Sequence, residues 1–294
     1  GYPRESGRDY RQELSAEKIA PAAARQSGHE GVESPGLIMA VLFTTDQQWV
    51  GWGVMCLAAL FIGISKTGIP GIGVLSVLLA AFAVPAKAST GLILPMLIFG
   101  DLVAVAVYRR HAQWWHLVRL IPCAAAGIVL GYFAMDWVKD SQLKPIIGLI
   151  ILAVLGLTWW RNRGKDIETP KHWLFPVCIG LLAGVTTMMA NAAGPIMVIY
   201  LAAMRLPKEQ FLGTGAWYYL LLNCFKVPFS QKLGLVNPQS IGMNLILAPL
   251  ILAGALVGIL VLRKLPTKRF ATIVQIIAAI GAAAMLLPGG DQPE

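Results

Sequence analysis

From Trp49 to Leu287 the chain alternates apolar runs with short joints that are polar or contain glycine and proline. Runs such as 145-PIIGLIILAVLGLTWW-160 and 241-IGMNLILAPLILAGALVGILVL-262 approach or exceed the ~20 residues needed to cross a bilayer core. A soluble core helix of that length would carry a polar face, and these carry none. The pattern predicts an all-α, polytopic integral membrane protein of about ten helices, with eight as the lower bound. They are expected at roughly 48–65, 69–84, 88–108, 115–135 and 143–161, then 172–187, 192–205, 209–229, 239–262 and 267–287. The first two helices of each half are short, so full spans and re-entrant hairpins both stay open.

The two halves read as copies. Sliding 84-VPAKASTGLILPMLIFGD-101 onto 206-LPKEQFLGTGAWYYLLLN-223 superposes Pro85 on Pro207, Gly91 on Gly213 and Asp101 on Asn223. A second block, 122-PCAAAGIVLG-131 on 249-PLILAGALVG-258, pairs Pro122 with Pro249, Gly127 with Gly254 and Gly131 with Gly258. Charge then orients them. The joint 109-RRHAQWWHLVR-119 and the joint 161-RNRGKDIETPK-171 are basic and read as cytoplasmic, whereas 136-DWVKDSQLK-144 balances acids and lysines. In the second half the bias reverses: 231-QKLGLVNPQ-239 has the single Lys232, and 263-RKLPTKR-269 holds Arg263, Lys264, Lys268 and Arg269. Matching joints therefore face opposite sides, which predicts two inverted-topology repeats, 46–168 and 169–294, with both termini outside.

Composition agrees with the pattern. Of 294 residues, 56% are hydrophobic and 13% charged, against about a quarter charged in a soluble domain. The net charge of +9 sits in joints between spans, so a nucleic-acid partner is not expected. Cys56, Cys123, Cys178 and Cys224 lie inside apolar runs without metal-ligand spacing and are expected to be small buried hydrophobes. Residues 1–45 are set apart as an N-terminal tail. Its first 36 residues are polar, mixed in charge and without the apolar stretch of a secretory signal, so disorder is expected there. No methionine precedes Met39, and an expression remnant, a processed extension and a misplaced start are all open.

Inverted-repeat transporters bind near the midplane, where matched helices are broken. Two such breaks are expected, 63-GISKTGIPGIG-73 and 184-GVTTMMANAAGPIM-197. Backbone freed there needs a partner other than lipid, and each restarting helix presents unpaired amides and a positive dipole end. With Lys66 these make a candidate anion cradle; the alternative is that Lys66 is an ordinary cytoplasmic loop lysine. Asn191 is a ligand candidate or a helix cap, and Thr187, like Thr186, a ligand candidate or a backbone-bonding threonine. Asp101, inside the third helix, is a candidate for a coupling proton or a structural partner of an arginine or backbone group. Asn223 is its neutral repeat mate. Lys226, one turn on, either lines the pathway or snorkels to the interface. Gly127/Gly131 and Gly254/Gly258 are read as packing, His111 and His116 as solvated, and Trp114/Trp115 and Trp159/Trp160 as an interfacial aromatic belt.

Over residues 48–288 the chain resembles the sulfite exporter TauE/SafE family of membrane permeases. The resemblance is carried by 63-GISKTGIPGIG-73, 94-LPMLIFGDLVAVAVYRR-110 and 213-GTGAWYYLLLNCFKVP-228, in that order. The segment 190-ANAAGP-195 is a looser match, with Ala192 and Ala193 where a richer glycine run is expected. The resemblance implies movement of sulfite, sulfonates or related small anions across the bacterial cytoplasmic membrane, by export and with proton coupling. It points to Lys66, Thr67, Gly68 and Gly71 in the first break and to Asp101, Asn223 and Lys226 in the helices that follow. No cofactor and no metal are expected. A passive anion channel and an uptake carrier for other small organic anions are the rival readings. An enzyme is not expected, because the spans hold no HExxH, GxSxG or paired-acid motif.

Overall fold

The computed structural model describes residues 48–68, 72–163 and 174–264, with a few helical positions between Ile276 and Leu286. The tail 1–45, Gly71, much of the basic joint 161–171 and most of the tenth expected helix lie outside the described residues. Those residues contain nine α-helices and no strand. In chain order they are α1 (Gln48–Thr67), α2 (Gly73–Ala83), α3 (Ala86–Tyr108), α4 (Trp114–Trp137), α5 (Asp140–Arg163), α6 (Leu174–Ala190), α7 (Ala193–Ala203), α8 (Lys208–Lys232) and α9 (Pro238–Lys264). A 3-10 turn, Arg109–His111, extends α3.

Among the described residues, four segments are long and apolar enough to cross a membrane: Val50–Thr67, Ala86–His111, Trp114–Trp137 and Ser240–Leu260. By contrast α2 and α7 have 11 residues each, so at about 1.5 Å per residue each covers only about half of a ~30 Å bilayer core. They are half-helices, each joined to the end of the longer helix before it. The first break is shorter than 63–73: α1 continues through Gly63 and ends at Thr67. Both α3 and α8 start directly behind a proline in extended conformation, Pro85 (φ −49°, ψ 144°) and Pro207 (φ −53°, ψ 152°). Proline disfavours helix in the residue before it while fitting the helix start itself.

Packing follows the small residues. Helix α1 lies along α9, and α4 along α6. A side chain at Gly63 would strike the backbone of Ile251, Gly254 and Ala255, and one at Gly184 the backbone of Ala124 and Gly127. Close approach of helix backbones is how bundles associate in lipid, where burial of apolar surface drives nothing. Helices α3 and α8 pack on each other at the centre, around Ala104, Val105, Ala216 and Leu220. Large apolar side chains such as Val118, Phe133, Leu245 and Leu256 point outward.

That outward face corrects one expectation. Cys178 and Cys224 are exposed, and Cys56 and Cys123 only half-buried. An apolar neighbourhood in the sequence marks interior and lipid-facing positions alike, so it does not report burial against protein.

Candidate functional site

The two breaks face one cavity of about 70 Å³, room for a few waters at about 10–15 Å³ each or for one small ion. Its walls include the first turn of α2 at Gly73 and Val74, and the first turn of α7 at Ala193 and Gly194. A Cβ built on Gly194 would meet nothing within 4 Å, so that backbone lies open. The first amides of a helix have no partner within it. Two helix starts therefore offer donors and positive dipole ends to the same space.

Of the candidate residues, Lys66, Thr187, Asn191 and Asn223 line this cavity. Lys66 stands in the last turn of α1, where a cation is favoured by the helix dipole. It is not a loop lysine: its side chain is 10% exposed, and Nζ pairs with Asp101 Oδ1 at 2.6 Å. Its stem passes over Gly100, where an added Cβ would stand 3.1 Å from Lys66 Cγ. Asp101 is fully buried, and its second oxygen accepts from Asn223 Nδ2 at 2.7 Å. Among the described residues the acid inside α3 thus has a lysine and an amide as partners, not an arginine or a backbone group.

Asn191 ends α6 in the left-handed region, φ 50°, a conformation asparagine tolerates better than most residues. Its amide nitrogen donates to the Thr90 carbonyl of α3 at 3.0 Å, and its oxygen accepts from Lys226 Nζ. Lys226 also donates to the Thr187 carbonyl at 2.9 Å. It is 2% exposed and does not snorkel; it stands behind the cavity wall, with no carboxylate in ion-pair reach among the described residues.

Thr67 and Gly68 lie outside the cavity walls. Thr67 Oγ1 donates to the carbonyl of Ala255 (2.7 Å) and is within reach of that of Gly63 (3.1 Å), while Gly68 sits against Gly258. Both serve the α1–α9 contact. Thr186 returns its hydroxyl to Leu182 and Ala183 in its own helix. His116 is not merely solvated: Nδ1 lies 3.0 Å from the Tyr200 hydroxyl.

Tyr219 escaped the sequence reading. It lines the cavity, its ring lies 4.4 Å from Lys66 Nζ, and its hydroxyl donates to the Gly194 carbonyl at 3.2 Å. A cation over an aromatic face is attracted by the ring quadrupole. The signal was available: Tyr219 is four residues before Asn223, hence on the same helical face.

A family model, Sulfite exporter TauE/SafE, matches residues 55–285. The chain belongs to the sulfite exporter TauE/SafE family. No curated protein and no solved structure matches the chain. Membership in TauE/SafE implies a multi-pass membrane transporter of sulfur compounds rather than an enzyme.

Proposed function

We propose that this TauE/SafE protein is a secondary transporter that exports a small sulfur oxyanion, such as sulfite or an organosulfonate, across the bacterial cytoplasmic membrane. The anion binds in the cavity between the two breaks, held by the amides of α2 and α7, Lys66 and Asn191, with Lys226 adding charge from behind. The observation that carries this is the charge count. Around the cavity stand two buried or nearly buried lysines, Lys66 and Lys226, and one acid, Asp101. Burying an unpaired cation is costly, and a bound anion offsets that cost.

Alternating access follows from two inverted repeats exchanging conformations around this site. Several pairings support the repeat. Asp101 and Asn223, which occupy matching positions, hydrogen-bond to each other, as expected for residues near a pseudo-two-fold axis. The contact of α1 with α9 has its mate in that of α6 with α4. A Cβ at Gly91 would strike Leu235, just beyond α8, and one at its mate Gly213 would strike Tyr108, the last residue of α3, and His111 just beyond it. Each third helix thus meets the far end of the other. Proton coupling through Asp101, the one carboxylate in the group, belongs to the same proposal, as do external termini.

The test is counterflow in proteoliposomes with labelled sulfite and a labelled sulfonate, wild type against Lys66→Ala. Saturable, trans-stimulated exchange that the substitution abolishes is the expected result. Uptake that only equilibrates, without trans-stimulation, would indicate a channel. Absence of flux with either anion would refute the assignment.

A further inference from the structure

The geometry points to Asp101 as an internal stand-in for the substrate: it holds Lys66 while the site is empty and yields it when an anion enters. This rests on the proposed anion site and adds how that site is kept between turnovers.

The inference comes from what each member of the group can and cannot do. Lys66 lines the cavity; Asp101 does not, and is wholly buried behind it. Lys66 therefore borders the cavity while its partner is a carboxylate that no solute reaches directly. Asp101 is fixed by Asn223 through Oδ2, leaving Oδ1 to Lys66. Asn223 itself lines the cavity, so the clamp on the acid stands beside the space the anion would fill. Lys66 ends in a flexible four-carbon stem with a compact point charge, and it sits one residue from the end of α1. Tyr219 offers that ammonium a second resting surface, 4.4 Å from its ring. A cation with both an aromatic face and a carboxylate within reach can turn toward the cavity without losing all its partners.

Lys226 shows what a lysine without a carboxylate looks like in this core. Its ammonium is spent on two neutral oxygens, Thr187 O and Asn191 Oδ1, and no acid competes for it among the described residues. Lys66 is thus the cation whose affinity for substrate is set by a built-in competitor. A competitor lowers affinity, and for a carrier that has a use: the anion is not trapped, because Asp101 retakes Lys66 as the anion leaves.

Equilibrium binding of labelled sulfite to purified protein tests this with wild type, Asp101→Asn, Lys66→Ala and the double variant. Asparagine keeps the shape and the Asn223 contact while removing the charge. Asp101→Asn is expected to bind sulfite about tenfold tighter, the scale of one charge-assisted hydrogen bond, and to exchange it more slowly. Lys66→Ala is expected to bind weakly, and adding Asp101→Asn to it should change nothing further, since Asp101 acts through Lys66. A purely structural role for Asp101 would instead weaken binding in both backgrounds.

A second measurement needs no folded variant: the infrared difference spectrum of wild-type protein with and without sulfite should show a perturbed carboxylate band. A silent carboxylate region, or wild-type binding with Asp101→Asn no tighter, overturns the exchange of partners while leaving the anion site standing. No sulfite binding by wild type overturns both.

Discussion

The ends of α1 and α6 solve the same electrostatic problem by different means. Each long helix stops at a break, and each presents its negative dipole end there, where a cation is favoured. At α1 the cation is its own: Lys66 stands in the last turn, and Tyr108 of α3 caps the Thr67 carbonyl at 2.9 Å. At α6 the cation arrives from another helix, as Lys226 of α8 bonds the Thr187 carbonyl. Setting Gly63 on Gly184 brings Lys66 onto Thr187, so the borrowed ammonium reaches the residue that matches the native one. At the first break the lysine has an acid for a partner; at the second, among the described residues, Lys226 has only neutral oxygens. Two helix ends of similar build thus differ in the partners of their lysines, and the anion proposed for the site answers that difference.

The largest effect is expected where the scaffold is most alike. Gly63→Leu and Gly184→Leu each drive a side chain into facing backbone, where nothing can give way as a flexible side-chain tip could. Both should prevent recovery of monodisperse protein on size-exclusion chromatography, and to the same degree. Gly194→Ala, with open space at its Cβ, should yield folded protein. If one of the two leucine variants behaved like wild type, the α1–α9 and α4–α6 contacts would not be equivalent supports.

Next in size is the charge difference. Lys226→Met keeps the length and removes the ammonium that the second half holds unpaired. The expected result is folded protein whose Kd for sulfite rises tenfold to about a hundredfold, the range for hydrogen bonds to a charged group. An unchanged Kd would mean that Lys226 serves only to cap α6, and that the site draws its charge from Lys66 alone.

How much of this was legible beforehand differs along the same line. Hydropathy marks the nine described helices to within a few residues, because prolines and glycines punctuate an apolar chain that has few other options in lipid. Lys66, Asp101, Asn191, Asn223 and Lys226 stand out as polar residues within apolar runs, and the structure brings all five into one connected group. What stayed hidden were choices between neighbours. Thr67 faces α9 while Lys66 beside it faces the cavity, a difference of one helical step that a lone polar residue does not encode. Of the adjacent Tyr218 and Tyr219 only the second lines the cavity, a choice that hydropathy does not mark and only the spacing of four to Asn223 does. Exposure to lipid was equally hidden at Cys178 and Cys224, because the outer and inner faces of these helices are both apolar.

The smallest effect separates backbone from side chain at Asn191. Its φ of 50° costs a residue bearing a Cβ about 1–2 kcal/mol, a cost glycine does not bear, although glycine loses more chain entropy on folding. Asn191→Gly and Asn191→Ala both remove the links to Thr90 and Lys226, so both should impair sulfite exchange alike. They should part in thermal stability, with the glycine variant unfolding a few degrees higher. Equal melting temperatures would show that the end of α6 relaxes out of the left-handed conformation once the side chain is gone. In that case the bend at the second break would be held by Lys226 and Thr90 pulling on Asn191, rather than by the backbone preference of the residue itself.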